Sequence, residues 1–170
     1  MNELNIPFGL CSITYGDMQL PFIADEAVFT AIPIYQNMFG GVLNATQNYI
    51  LIDYQVSFTV SIDSESYNTL KLHMPTLQKH KHGLYDSASN VDMTGKQLVI
   101  HPKINDTRDY DICIWEAYIS PKTEFKRTFK KDADKFEITF KGKRVNDHND
   151  PNLIESYFFI GDWLKVINNE

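Results

Sequence analysis

The chain has 170 residues and a formal net charge of −6, is 43% hydrophobic and 22% charged, and carries two cysteines. That length can bury a core without disulfide or metal support, and the composition excludes overall disorder and a disulfide-built scaffold. No apolar run is long enough for a membrane-spanning helix.

The opening Met1-Asn2-Glu3-Leu4-Asn5-Ile6-Pro7 has no basic n-region and no long apolar stretch, so synthesis inside the cell is expected. The sequons at Asn44 and Asn105 then read as chance matches. A single domain over 1–170 is expected, since no repeat, low-complexity tract or linker divides the chain. Cys11 and Cys113 lie far apart in apolar stretches and read as buried reduced thiols rather than a disulfide. Charge is segregated: residues 1–70 hold seven acids and no Lys or Arg, residues 71–145 carry a net +5, and residues 146–170 a net −4. Either the folded surface carries distinct fields that register partners, or the segments interleave and the charges average out.

Phe8 to Tyr15 reads as a first strand, ended by the turn pair Gly16-Asp17. Met18 to Ile34 is extended and apolar, but Pro21 and Pro33 demote it to an edge strand or loop. Gly40-Gly41 marks a turn or flexible tip. The strongest local signal follows. Tyr54, Val56, Phe58, Val60 and Ile62 alternate with Asp53, Gln55, Ser57, Thr59, Ser61 and Asp63. Such a period excludes a helix and predicts one buried face and one wet face. With Tyr49 to Ile52 added, the strand reaches roughly 50 Å at the usual rise, well beyond a typical strand. A strand of that length either bends across a barrel or projects beyond its own domain.

Ser64 to His73 is the helix candidate, with Ser64 as cap, Glu65 in the first turn, and Tyr67, Leu70, Met74 and Leu77 at helical spacing. Pro75 breaks it. Lys79 to Asn90 reads as a polar surface loop. Strands are then expected at Gln97–Ile100, Asp111–Ile119, Phe125–Phe129 and Phe136–Phe140, with Lys130 to Lys135 as a hairpin tip. His148 to Asn152 is a loop, Tyr157 to Ile160 a last strand, and Trp163 to Ile167 a short helix. The fold class expected is mainly β: an antiparallel sandwich or barrel with one flanking α-helix.

Catalytic spacings are missing: the sequence has no Walker motif, Gly-x-Gly-x-x-Gly, Gly-x-Ser-x-Gly or Cys-x-x-Cys. Cys113, between Ile112 and Ile114, reads as a structural thiol. His80-Lys81-His82, near His73, has an intervening cation and no further ligand at metal spacing. Asp132-Ala133-Asp134 lacks the glycine and glutamate of a calcium loop. No catalytic residue, metal or cofactor is therefore expected, and the chain is not expected to be an enzyme. A basic hairpin including Lys126, Arg127, Lys130 and Lys131, beside Phe125 and Phe129, combines phosphate-binding charge with stacking faces. Acids dilute the patch, and lysines also discourage edge pairing. Those four bases are candidates for contact between subunits.

Gly95-Lys96-Gln97-Leu98-Val99-Ile100-His101-Pro102, then Asp111 to Tyr118, then Phe125 to Phe129, an acidic turn and Phe136-Glu137-Ile138-Thr139-Phe140-Lys141-Gly142 form a recognisable cadence. This third of the chain resembles the C-terminal half of tail tube proteins of long-tailed bacteriophages, with Gly142 where a small residue is expected. The resemblance implies a tail-tube-like β-sandwich or barrel with a flanking helix, six copies per ring, and rings stacked into a virion tail assembled in the host cytoplasm. Its partners would be copies of itself, other tail proteins, and viral DNA passing through the lumen without specific binding. Asp53, Gln55, Ser57, Thr59, Ser61 and Asp63 would be the lumen-facing positions. The alternatives are a tail terminator or baseplate ring protein, a nucleic-acid-binding module, or a single-chain barrel with Tyr54, Val56 and Phe58 lining a ligand cavity.

Overall fold

The computed structural model describes residues 9–21, 23–38, 48–62, 66–87, 94–104, 106–120, 124, 126, 136–145 and 155–168. Its elements are β1 (Cys11–Tyr15), β2 (Met18–Gln19), β3 (Ile23–Met38), β4 (Asn48–Ile62), α1 (Tyr67–His73), β5 (Leu77–His80), β6 (Gly83–Asp86), β7 (Lys96–Pro102), β8 (Ile112–Ile119), β9 (Phe136–Lys143), β10 (Phe158–Ile160) and α2 (Trp163–Asn168). The expected class is observed: an antiparallel β-sandwich flanked by a helix, with a second short helix near the end.

The main sheet runs β2-β1-β7-β8-β9-β4-β3, and β10 pairs with β8 at Ile112–Ile114, just before the stretch that pairs with β9. This sheet is strongly curled. Tyr15 on β1 and Phe140 on β9 are three strand steps apart, about 14 Å in a flat sheet, yet their ring centroids lie 4.9 Å apart. The Tyr15 hydroxyl also donates to the Ala117 carbonyl at 3.0 Å. The curl encloses one core of Ile13, Phe58, Val60, Leu98, Ile114 and Phe140. A second cluster, Val99, Cys113 and Trp115, lies on the opposite face of β7 and β8 under Phe159 and Trp163. Burial on both faces explains why Leu98-Val99-Ile100 and Cys113-Ile114-Trp115 are continuous apolar runs rather than alternating ones. Cys11 and Cys113 are both free thiols. Burial pushes the Cys113 thiol up to about 12, which keeps it in the unreactive protonated form.

Several local expectations change. Proline did confine β3 to the sheet's edge, but the strand accommodates Pro33 opposite Tyr54 and continues to Met38. Ser66, not Ser64, caps α1: its side chain accepts from the Thr69 amide at 3.2 Å, and Thr69 Oγ1 accepts from the Ser66 amide at 2.7 Å. Ser64 and Glu65 lie outside the described residues. The helix buries Thr69 and His73 rather than Tyr67, which is 60% exposed, and Met74 already caps its C-terminus. Lys79 to Asp86 is not a loop. Here β5 and β6 form a small hairpin turned by Lys81-His82, and the short polar strands gave no apolar alternation to read. The expected strand over Phe125–Phe129, the tip at Lys130–Lys135, the Gly40-Gly41 turn and the His148–Asn152 loop lie outside the described residues, apart from exposed Lys126.

Asp111 ties α2 to the sheet. Its side chain is fully buried and its Oδ1 lies 2.6 Å from His101 Nδ1. Trp163 Nε1 donates to Oδ2 at 3.2 Å, Arg108 lies 3.7 Å from the same oxygen, and the Asp111 carbonyl accepts from the Gly161 amide at 2.9 Å. Removing such a carboxylate forfeits several charge-assisted bonds at once. Asp111→Ala should therefore destabilise the chain by about 2–4 kcal/mol in urea denaturation, with loss of the Trp163 near-ultraviolet signal. A change within about 0.5 kcal/mol would contradict the role assigned to it.

Candidate assembly surface

The long alternating strand is observed as β4, and it pairs with β3 from Asn48 to Ile62. On its other edge, β9 pairs only with Ser57 to Ile62. The core side is as expected, with Val56, Phe58, Val60 and Ile62 buried. N-terminal to Ser57 the strand's only strand partner among the described residues is β3. Beyond the core residues Val56 and Ala31, residues 48–55 of β4 and 32–38 of β3 therefore leave the sandwich as a two-stranded arm. Its outer seven residues extend roughly 20 Å at the usual rise.

Gly142 marks the departure point. The last β4–β9 pair is Ser57 with Lys141, and Gly142 pairs with Ala117 of β8. A Cβ on Gly142 would stand 2.9 Å from the Cβ of Val56, so only glycine lets the two strands approach this closely.

The arm is apolar on both faces. Ile32 is 50% exposed, Tyr35 53% and Tyr49 58%, and Ile50, Leu51 and Ile52 are exposed in succession. Residues consecutive in a strand point to opposite faces, so neither face of the ribbon has a core to cover it. A register shift between Ile34 and Tyr35 places the irregularity opposite Ile52. Tyr35 and Tyr49 meet edge to face across the strands, with centroids 6.3 Å apart. An isolated two-stranded ribbon is marginal in water, and exposed apolar strands with free edges are templates for pairing.

The root of the arm is braced. Phe158 packs edge to face on Phe29 at 5.1 Å and on Tyr54 at 6.1 Å, joining β3, β4 and β10. Arg144 donates to the Ile52 carbonyl at 3.1 Å and to Asp53 Oδ1 at 3.2 Å, and it lies 3.7 Å from Glu155. The Tyr157 hydroxyl donates to the same Asp53 oxygen. This hydroxyl bond, then the Tyr54 amide and Arg144, hold the Asp53 carboxyl below the usual carboxylate range. Burial and the bond to Asp53 push the Tyr157 phenol up.

The six polar positions of β4 do not share one environment. Asp53 is ion-paired at the brace, Gln55 is exposed, and Ser57 and Thr59 are half-buried. Thr59 shares a 3.0 Å hydroxyl bond with Thr139, and Ser61 is buried. Asp63 lies outside the described residues. Lys141 stands opposite Ser57 and Glu137 opposite Ser61, so the neighbouring strand adds charges of both signs to this face. Of the four bases proposed for subunit contact, Lys126 is exposed, while Arg127, Lys130 and Lys131 lie outside the described residues. The brace escaped sequence reasoning because Arg144 and Tyr157 are remote from Asp53 and carry no motif spacing.

Asp53 has a lowered folded-state pKa, so its contribution is complete above the unfolded value near 3.9 and is lost as pH falls through the lower folded value. Hydrogen exchange at Ile50–Tyr54, corrected for intrinsic rate, should accelerate relative to Phe58–Val60 below about pH 4. Asp53→Asn should show the faster exchange at neutral pH as well. Protection of the root that is unchanged across this range would contradict the brace.

No protein-family model matches the chain, and no curated protein matches it.

Proposed function

We propose that this protein is a structural subunit that assembles with copies of itself into stacked rings, forming the tube of a bacteriophage tail through which DNA is ejected. The arm carries this reading. It is a ribbon of β3 and β4 with exposed apolar side chains on both faces, reaching past the stretch of β4 that pairs with β9. A solvated arm of this composition is a poor end state, and burial against another copy removes its apolar surface from water. The antiparallel sandwich with its flanking helix fits the tail-tube resemblance, as does glycine at position 142. On this reading six copies close a ring, other tail proteins meet the ends of the tube, and DNA passes without specific contact. The particle is a virion tail assembled in the host cytoplasm.

A ring protein at the end of a tail would use the same arm, and no specific observation favours it. Val56 and Phe58, which the ligand-barrel alternative needs around a cavity, are buried in the packed core. The described residues include no group of three metal-ligating side chains.

Purified protein should form rings or tubes at increasing concentration in sedimentation velocity and negative-stain microscopy. Ile32→Asp with Leu51→Asp changes two exposed positions, so folding stability should move by no more than about 1 kcal/mol while assembly is lost. A strictly monomeric parent at high concentration, or a double variant that assembles like its parent, would overturn the proposal.

A further inference from the structure

A second surface feature is independent of the arm and shares no residue with it. Between the β1–β2 turn, α1 and the start of β7 lies a half-open pocket of about 580 Å³, within the range of roughly 300–1,000 Å³ common for small-molecule sites. Its wall includes Lys71 from α1, Lys79 from β5 and Lys96 from β7. Among the described lining residues Asp17 is the single carboxylate, so these residues carry two excess positive charges. None of the three lysines forms an ion pair among the described residues, although Lys143, Arg144 and Lys165 elsewhere all do.

The rest of the lining mixes polar side chains, Asn68 and Thr94 among them, with apolar ones. Met18, Leu72, Pro75 and Ile119 provide the apolar surface, and Tyr118 adds an aromatic side chain. The backbone makes room for the third cation. Gly16 holds a φ of +56°, donates to the Gln97 carbonyl at 2.8 Å, and would place any Cβ 3.0 Å from Lys96 Cδ. The stem of Lys96 thus lies against the turn that only glycine forms without strain.

Three ammonium groups facing one carboxylate around a partly apolar cleft suit a ligand with an anionic half and an apolar half. We infer that this pocket binds a small phosphate-bearing molecule with a flat apolar body. The body lies against Tyr118 and the aliphatic wall, and the phosphates meet Lys71, Lys79 and Lys96. Three separated point charges fit a polyphosphate better than a single carboxylate, because lysine binds phosphate as a charge rather than through a fixed fork. None of the pocket's elements belongs to the arm, so the site exists whether or not the chain assembles.

The test is calorimetric titration of the full-length protein with ATP, tripolyphosphate and adenosine as probes. ATP should saturate the site, tripolyphosphate should bind at least about tenfold more weakly, and adenosine should show no measurable binding. Lys71→Ala with Lys79→Ala and Lys96→Ala should weaken ATP at least about tenfold with the circular dichroism spectrum unchanged, while Lys165→Ala should have no effect. Absence of saturable ATP binding, or equal binding of tripolyphosphate, would overturn the inference. So would unchanged binding by the triple variant. If that variant instead loses only self-association, the pocket belongs to a neighbouring copy and the inference fails, although the assembly reading stands.

Discussion

β4 belongs to two environments, and the rest of the molecule is arranged around the point where one gives way to the other. From Ser57 to Ile62 it has a strand on each edge and buries Phe58, Val60 and Ile62 in the core. From Asn48 to Val56 its only strand partner among the described residues is β3. Backbone pairing continues along the ribbon, but the apolar burial that stabilises a sheet ends near Val56. An arm so placed stays extended only if its base is held, and that is the work of Phe158, Tyr157 and Arg144. These groups come from strands and turns formed more than ninety residues later in the chain. The direction of the arm therefore depends on closure of the whole sandwich.

That dependence also explains what was legible in the sequence. The strands over Asn48–Ile62, Lys96–Pro102, Ile112–Ile119 and Phe136–Lys143 could be read from alternation, or from apolar runs bounded by turn residues, because burial of one or both faces is written locally. The edge position of β3 could be read as well, through Pro33. Ser66 was missed because Ser64 and Ser66 offer the same cap chemistry, and only the reciprocal bond with Thr69 distinguishes them. The β5–β6 hairpin was missed because its strands are short and polar. The partners of Asp53 and Asp111 were invisible for another reason. His101 and Trp163 flank Asp111 at sequence distances that no motif encodes, and their meeting is a product of sheet order.

Of the candidate site, the buried side of β4 could be read from period 2, whereas the fate of its polar side could not. Asp53 meets Arg144, Thr59 meets Thr139, and Ser61 is covered, because a face described as wet on one strand still has neighbours on the next. The charge count of residues 1–70 likewise described a stretch of chain rather than a surface. β9 runs beside β4 and brings Lys141 and Glu137 onto the same side. The arm itself was half legible: excess strand length announced it, but the loss of a partner at Ser57 needed the sheet order.

In the assembly proposed above, the arm that is exposed in the single chain is covered by another copy. Hydrogen exchange followed as a function of protein concentration tests it most directly. Amides of residues 34–38 and 48–52 should exchange faster than those of Phe58 to Ile62 in dilute protein and gain protection as concentration rises, while those of Phe58 to Ile62 are slow throughout. Exchange in the arm that is independent of concentration, across the range in which larger species form, would contradict the claim.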